Sequence, residues 1–341
     1  MSESISLTQF KPYFNKFSKA ATARALKEAN LTQLSEGHLR RSDWFTDLFQ
    51  QCLASEQDEL EETVKARTVE DLIADKCKSY ESYTVKQDSN VKIVAAGNKP
   101  VAILHLGDPH LDDNGCDFPL LKHHIDLIKG REGVWCGNIG DTTNNWVGRL
   151  KALYAEQSTT FTEALELSEW LINSVHWLYF IHGNHDLWDN GSYILKLLMK
   201  NARIECSMGH EANVSLAFDN GVKVNILARH DFKGRSMWHP NHGLLKTALM
   251  RGWGDLLIAG HTHEHGLLDL EDQQGRPVKC LRVRGYKRHD SFAMEKGFYD
   301  HKYGAAALTV INPYAAVTDR IINFWDVELG LEYLDFLRSI N

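Results

Sequence analysis

Seventeen of the chain's 341 residues are histidine, and several stand in short clusters with acidic residues, asparagine and glycine. Histidine is the commonest metal ligand and is costly to bury without a partner, so the clustering asks for a chemical reason. Five clusters recur along the chain. In Gly107-Asp108-Pro109-His110 the acid and the imidazole lie two apart, so an extended segment turns both to one side, where a hard oxygen and a nitrogen can share a cation. In Gly140-Asp141-Thr142-Thr143-Asn144 the carboxylate follows a glycine, and its two oxygens can each take one of two metals. Gly183-Asn184-His185-Asp186 offers a neutral amide oxygen at Asn184 and an imidazole at His185 that points elsewhere, with Asp186 expected to hold that ring in one tautomer. Arg229-His230-Asp231 adds one imidazole, and Gly260-His261-Thr262-His263 adds two that can reach different metals from one loop. Taken singly, Asp-x-His, Gly-Asp and a lone histidine also occur in plain turns.

The elements around these clusters share a pattern. Val101–Leu106, Val134–Ile139, Trp177–Ile181, Val222–Ala228 and Leu256–Ala259 read as buried strands, and a cluster follows each of them. Leu120–Ile128, Phe161–Val175 and Leu244–Met250 read as amphipathic helices between them. Alternation of this kind predicts an α/β sheet packed by helices. Open α/β sheets place ligands beyond the carboxyl ends of their strands, which is where all five clusters fall. The stretch from Lys86 to Pro100 is polar and reads as a linker, and Leu281–Val310 reads as β-rich.

In this order the five motifs resemble those of the calcineurin-like metallophosphoesterases: Asp-x-His, Gly-Asp-x-x-Asp/Asn, Gly-Asn-His-Asp/Glu, His, and Gly-His-x-His. The resemblance covers about Val101 to Val310. It implies a two-sheet metallophosphoesterase sandwich flanked by helices. It also implies two divalent metal ions, the first on Asp108, His110 and His263 and the second on Asn184, His230 and His261, with Asp141 bridging. His185 would act on the leaving group or position the phosphate, with Asp186 behind it. Mixed oxygen and nitrogen ligands suit Mn, Fe, Zn or Ni better than Ca, and manganese is the first expectation, with Mg a further alternative. The implied reaction is hydrolysis of a phosphate ester by metal-bound hydroxide, without a covalent enzyme intermediate. Two departures stand out. Gly137-Asn138-Ile139-Gly140 imitates the second motif with Asn in place of Asp, and Pro109 stiffens the first by fixing φ.

Asn144, Asn145 and Arg149 after the bridging Asp, and Lys233 with Arg235 after His230, are candidates for binding phosphate oxygens, against the plainer reading of a loop and a solvated surface. His239 and His242 are candidate pocket residues, and Arg282, Arg284, Tyr286 and Lys287 form a basic run that meets either a phosphate backbone or solvent. The insertion from Trp146 to Trp177 is long enough to cap a pocket. Asn144-Asn145-Trp146-Val147-Gly148-Arg149-Leu150, Tyr286-Lys287 and Gly297-Phe298, behind a helical N-terminal region, resemble phage- or prophage-borne bacterial phosphoesterases.

Residues 1–90 read as a helical region and 91–341 as the catalytic domain, in keeping with roughly 150 residues per domain. In the first region Leu26, Leu31 and Leu34, then Trp44, Phe45, Leu48, Phe49 and Leu53, mark apolar stripes, with Ser18 and Ser42 as helix caps. Lys11–Arg41 carries a local charge of +5 and Asp43–Asp75 one of −8. Two solvated helical faces account for this, and a degenerate helix-turn-helix around Ala21–Arg41 is the sharper alternative. The net charge of −7 argues against broad coating of nucleic acid, although metals can supply positive charge locally. Six cysteines without a Cys-x-x-Cys pair, no basic and apolar leader, and no apolar run of roughly 20 residues point to a reduced, cytoplasmic protein that does not enter a membrane. The expected substrate is a phosphodiester in a nucleotide or nucleic acid. The alternatives are a phosphomonoesterase or protein phosphatase, a scaffold that has lost its metals, and a DNA-binding regulator acting through residues 1–90. No ligand of the motifs is missing, which disfavours the scaffold. The oligomeric state is open.

Overall fold

The computed structural model describes residues 5–16, 18–63, 68–86, 91–147, 151–155, 157–189, 191–207, 209–288 and 303–340. The chain divides into two compact units, Met1–Asp88 and Ser89–Asn341.

The first unit contains α1 (Leu7–Phe10), α2 (Lys19–Glu28), α3 (Glu36–Leu39), α4 (Asp43–Thr63) and α5 (Val69–Lys86). Ser18 caps α2, its hydroxyl accepting from the Ala21 N–H. Phe10, Ala23, Leu26, Leu39, Phe45 and Phe49 form a core of this unit's own, against which Leu31, Leu34 and Trp44 pack. A helix-turn-helix needs a second helix of several turns to lie in a groove. Here α3 has 4 residues, so Ala21–Arg41 lacks that element, and its leucines are taken up by the unit's core.

Among the described residues the second unit is built on twelve strands: β1 (Lys92–Gly97), β2 (Val101–Leu106), β3 (Val134–Asn138), β4 (Trp177–Phe180), β5 (Ile204–Cys206), β6 (Glu211–Phe218), β7 (Lys223–Arg229), β8 (Leu256–Ala259), β9 (Gly266–Glu271), β10 (Pro277–Arg282), β11 (Ala306–Ile311) and β12 (Ile321–Phe324). They form two six-stranded mixed sheets, ordered β1-β6-β7-β8-β10-β9 and β12-β11-β2-β3-β4-β5. The helices are α6 (Phe118–Ile128), α7 (Lys151–Tyr154), α8 (Phe161–Ser174), α9 (Asn184–Leu187), α10 (Gly191–Leu198), α11 (His242–Arg251) and α12 (Val327–Ile340). This is a two-sheet α/β sandwich flanked by helices, as the resemblance implies.

Period-two alternation within buried strands builds the layers. In β2, Val101 and Ile103 face the core between the sheets, while Ala102, Leu104 and Leu106 face helices α6, α8 and α12. On the outer side of the other sheet, Leu227 and Leu257 pack with Leu244 and Ala248 of α11. His105 shares the inner face of β2 and is fully buried. Its ring nitrogens are taken by the Tyr179 hydroxyl at 2.6 Å and Thr309 Oγ1 at 2.8 Å. A capping box of Thr160 with Glu163 starts α8.

The expected linker Lys86–Pro100 contains β1, which pairs in parallel with β6 from Lys92 to Gly97. The strand escapes a pattern reading because it is an edge strand with one well-buried side chain, Val94, between an exposed Ile93 and the small residues Ala95, Ala96 and Gly97. The β-rich expectation for Leu281–Val310 meets the end of β10 and most of β11, while residues 289–302 lie outside the described residues. Among the described residues, no helix is long and apolar enough to cross a membrane.

Candidate metal centre

Five strand ends converge, three from one sheet and two from the other. β2 delivers Asp108 and His110, β3 delivers Asp141, and β4 leads into α9 with Asn184 and His185. From the facing sheet, β7 delivers His230 and β8 delivers His261 and His263. Hydrogen bonds tie the two sheets together across the site. The His261 N–H donates to Asp108 Oδ2 at 2.7 Å, and His230 Nδ1–H donates to the Ile139 carbonyl at 2.8 Å. The latter bond leaves His230 Nε2 facing the centre.

The backbone is bent to do this. His110, Asp141, His261 and His263 all have positive φ, at 45°, 51°, 70° and 54°. Non-glycine residues rarely adopt this region, and each instance costs on the order of 1–3 kcal/mol, so such residues gather where function demands them. Glycine permits the closest approach: a Cβ on Gly183 would lie 2.0 Å from Asp141 Oδ1, and one on Gly140 2.3 Å from the Gly183 nitrogen.

Two groups of donor atoms result. His230 Nε2 lies 3.0 Å from Asn184 Oδ1, 3.0 Å from His261 Nδ1 and 3.3 Å from Asp141 Oδ2. His263 Nε2 lies 3.3 Å from His110 Nε2 and 3.7 Å from Asp108 Oδ2. Metal–ligand bonds of about 2.1 Å at tetrahedral or octahedral angles give ligand–ligand edges of roughly 3.0–3.4 Å, so the first group already has the dimensions of a coordination shell. Buried Asp108 Oδ1 and His110 Nδ1 have no hydrogen-bond partner among the described residues. The charges agree. Burial and the charge of Asp141 raise the Asp108 carboxyl, and the nearby His230 only partly offsets them, leaving it at about 7. Burial alone would lower His230, yet the charges of Asp108 and Asp141 keep it protonated, its pKa raised to about 10. Asp141 is also buried, but the hydrogen bond and charge of His230 outweigh this and hold it well below the usual carboxylate range. His110 and His261 are pushed down, chiefly by burial, and so present neutral imidazoles. A cluster that draws positive charge and presents neutral nitrogens fits divalent cations.

The structure refines the sequence reading at several residues. Asp141 Oδ1 accepts the His185 N–H at 2.9 Å, so Oδ2 is the oxygen left facing the imidazoles, rather than each oxygen being free for one metal. Asp186 does not orient His185. It sits in the first turn of α9, and its carboxylate folds back to accept from the Gly183 N–H at 2.9 Å and the Thr142 N–H at 3.0 Å. Burial, then the charge of Asp141, raises its carboxyl to about 7 against those two donors. The group that orients His185 is the Asn144 carbonyl, which accepts from its Nδ1–H at 2.8 Å and turns Nε2 to 3.8 Å from Asp141 Oδ2. Trp188 covers the ring, with centroids 4.3 Å apart. Neither a backbone carbonyl nor a ring contact leaves a mark in a sequence pattern.

The expected phosphate ligands fare unevenly. Asn144 is buried, its amide donating to Asp113 Oδ2 at 2.9 Å and its backbone N–H to Asp112 Oδ1 at 2.6 Å. Asn145 gives its amide to the carbonyls of His185 and Trp188, at 3.1 and 2.7 Å. Both side chains hold loops together instead of facing a phosphate. Arg149 lies outside the described residues. Lys233 is exposed on the loop after His230, and Arg235 from the same loop reaches the site, its Nη2 3.4 Å from His261 Nε2. Asn138, the imitation of the bridging acid, is buried in β3 with its amide on the Ile181 carbonyl at 3.3 Å.

The basic run 282–287 is neither a solvated edge nor a phosphate platform. Arg282 is buried and donates to the Gly260 carbonyl, to Thr262 Oγ1 at 3.1 Å and to Asp231 Oδ1 at 3.0 Å, so it props the His261–His263 loop. Lys287 Nζ pairs with Asp113 Oδ2 at 2.9 Å. Tyr286 is buried, its hydroxyl 2.8 Å from His124 Nδ1. The insertion after Trp146 helps wall an apolar cavity of 380 Å³ with Trp146, Tyr154, Phe161, Ile194 and Leu195; Asp186 lines it, but none of the seven metal-competent residues does.

No protein-family model matches the chain, and no curated protein sequence does either. Solved structures align at low identity. Vacuolar protein sorting 29 from Cryptosporidium parvum is 11% identical over 67% of this chain and 100% of its own, with a TM-score of 0.39. The NAD nucleotidase NadN of Haemophilus influenzae is 12% identical over 66% of this chain and 49% of its own, with a TM-score of 0.35. A 5'-nucleotidase precursor from Thermus thermophilus is 11% identical over 70% of this chain and 58% of its own, with a TM-score of 0.34.

Proposed function

We propose that the chain is a calcineurin-like metallophosphoesterase that binds two divalent cations and hydrolyses a phosphodiester of a nucleotide or nucleic acid. The observation that carries this is the convergence of Asp141, His230 and His261 donor atoms within 4.8 Å of one another, beside the pair His110 and His263. Asp108, His110 and His263 would hold one cation and Asn184, His230 and His261 the other, with Asp141 between them. Two such cations supply a nucleophile near neutral pH and positive charge for the phosphoryl oxygens. The protein's own groups do the rest. His185, held at Nδ1 by the Asn144 carbonyl, presents Nε2 to the departing oxygen and delivers its proton there. Arg235 stands where a guanidinium fork can take a non-bridging phosphate oxygen. Asp186 and Arg282 keep the loops in place. Manganese is the first metal to try.

The test is hydrolysis of bis-p-nitrophenyl phosphate and p-nitrophenyl phosphate by metal-stripped protein resupplied with Mn²⁺, beside His185→Ala and Asp141→Asn. Diester cleavage that requires metal and fails in both variants supports the reading. Cleavage of the monoester alone replaces the diester with a monoester substrate. Bound metal with no hydrolysis of either compound, or of a nucleotide diester, removes the enzymatic reading.

A further inference from the structure

The loop between β7 and α11, residues 230–241, leaves the candidate centre and carries the two most exposed large apolar side chains among the described residues. These are Met237 at 93% and Trp238 at 89% of their full surface. The loop is not slack. Phe232 is buried at its base, a Cβ on Gly243 would meet the Phe232 carbonyl at 2.4 Å, and the Trp238 N–H donates to Ser236 Oγ at 3.2 Å. A tryptophan held out in water on an ordered loop is costly apolar exposure that nothing in the loop's own packing requires. Its chemical surroundings are specific. Arg235, three residues before Trp238, meets His261 at 3.4 Å. The loop's one acid, Asp231, is already paired with Arg282. Lys233 and Arg235 therefore make this edge of the centre basic on a chain whose net charge is −7.

We infer that Trp238 is a stacking platform for a nucleobase of the substrate whose phosphate Arg235 helps to hold. The inference rests on the phosphoesterase reading above and narrows its substrate to esters that carry a nucleobase. Three residues of chain separate the Cα atoms of Arg235 and Trp238 by at most about 10 Å, a spacing that the phosphate and base of one nucleotide can match. Stacking on an aromatic face tolerates any base because every base has a π-face, and it adds affinity without reading sequence. Met237, the preceding residue and equally exposed, adds apolar surface to the same loop.

The test is calorimetric binding of AMP and of ribose 5-phosphate, the same phosphate without the base, to the full chain supplied with Mn²⁺. It is run on wild type, Trp238→Ala and Trp238→Phe. Wild type should bind AMP at least about 5-fold tighter than ribose 5-phosphate, the low end of base–aromatic stacking. Trp238→Ala should bring the ratio to about 1 without changing ribose 5-phosphate affinity, and Trp238→Phe should keep most of the preference. An unchanged ratio in Trp238→Ala, no preference in wild type, or no binding of either compound overturns the inference. The two readings separate cleanly. Diester hydrolysis with no base preference sinks the platform and leaves the phosphoesterase standing. Base preference that depends on Trp238, without hydrolysis of any ester, does the reverse.

Discussion

Replacing Asp186 separates a structural role from a catalytic one. Its carboxylate accepts from two backbone donors, Gly183 N–H at 2.9 Å and Thr142 N–H at 3.0 Å, and is 2% exposed. In Asp186→Ala both N–H groups are left buried and unpaired, at about 1–3 kcal/mol each, so the variant should lose about 2–6 kcal/mol of stability. Asp186→Asn keeps one acceptor oxygen and should lose about half as much. For a unit of this size, each kcal/mol lowers the melting temperature by roughly 2–4 °C. Urea unfolding of the metal-stripped protein measures the loss directly. The loss should follow the order Ala, then Asn, and weaker metal binding should accompany it, because Gly183 and Thr142 belong to the loops that carry Asn184 and Asp141. His185→Ala leaves one acceptor, the Asn144 carbonyl, without its donor and should cost about 1–3 kcal/mol, half the loss in Asp186→Ala, while abolishing turnover. The reasoning fails if Asp186→Ala unfolds within about 1 kcal/mol of wild type and loses the same limb of the pH–rate profile as His185→Ala. That result would put Asp186 behind His185 after all.

Two further outcomes follow from the geometry. Gly183→Ala places a Cβ 2.0 Å from Asp141 Oδ1, so the β3 and β4 loops must separate. Overpacking of this kind costs about 1–3 kcal/mol, and metal affinity by titration should fall at least about tenfold while the helical circular dichroism is retained. Unchanged metal affinity would show that the two loops do not set the centre's spacing. Stability should also depend on pH through imidazoles buried neutral: burial lowers His105 from 6.5 to about 3 and His124 from 6.5 to about 4. Because the folded values lie below the unfolded one, the unfolded chain binds protons that the folded chain refuses. The share of stability that each ring contributes is therefore full above pH 6.5 and falls as pH drops toward about 4, by roughly 1.4 kcal/mol per pH unit, against the opposite trend of the raised carboxyls of Asp108, Asp112 and Asp186. Melting of stripped wild type and of His124→Gln, which cannot titrate, between pH 7 and 5 measures this as the difference between the two curves: wild type should lose about 1.4 kcal/mol per pH unit relative to the variant as pH falls. A variant as steep as wild type would refute the assignment of His124.

The residues that converge at the candidate centre were legible in the sequence because they are metal-competent types at short spacings. Asp108 with His110, Asp141, Asn184, His230, and His261 with His263 each follow a buried apolar run, and a strand's period fixes where its end points. Strands that are continuous apolar runs, such as Val101–Leu106, could be read directly, whereas β1, an edge strand with one well-buried residue, could not. The two-sheet architecture was reached by resemblance, since local pattern does not say which strands pair. What tertiary structure alone decided is who touches whom. Asn144 and Asn145 have the chemistry of phosphate ligands, yet the approach of the Asp112–Asp113 and His185–Trp188 segments spends their donors on the protein. Asp186 looks like the partner of its neighbour His185, but a one-turn helix turns the carboxylate back to its own N-terminus and leaves that task to a carbonyl 41 positions earlier. The basic run 282–287 looks solvated until β10 carries Arg282 beneath the Gly260–His263 loop. In each case a donor or acceptor is claimed by a group distant in sequence, and only the folded chain fixes which one, because hydrogen bonds depend on distances of a few ångströms that sequence spacing does not encode.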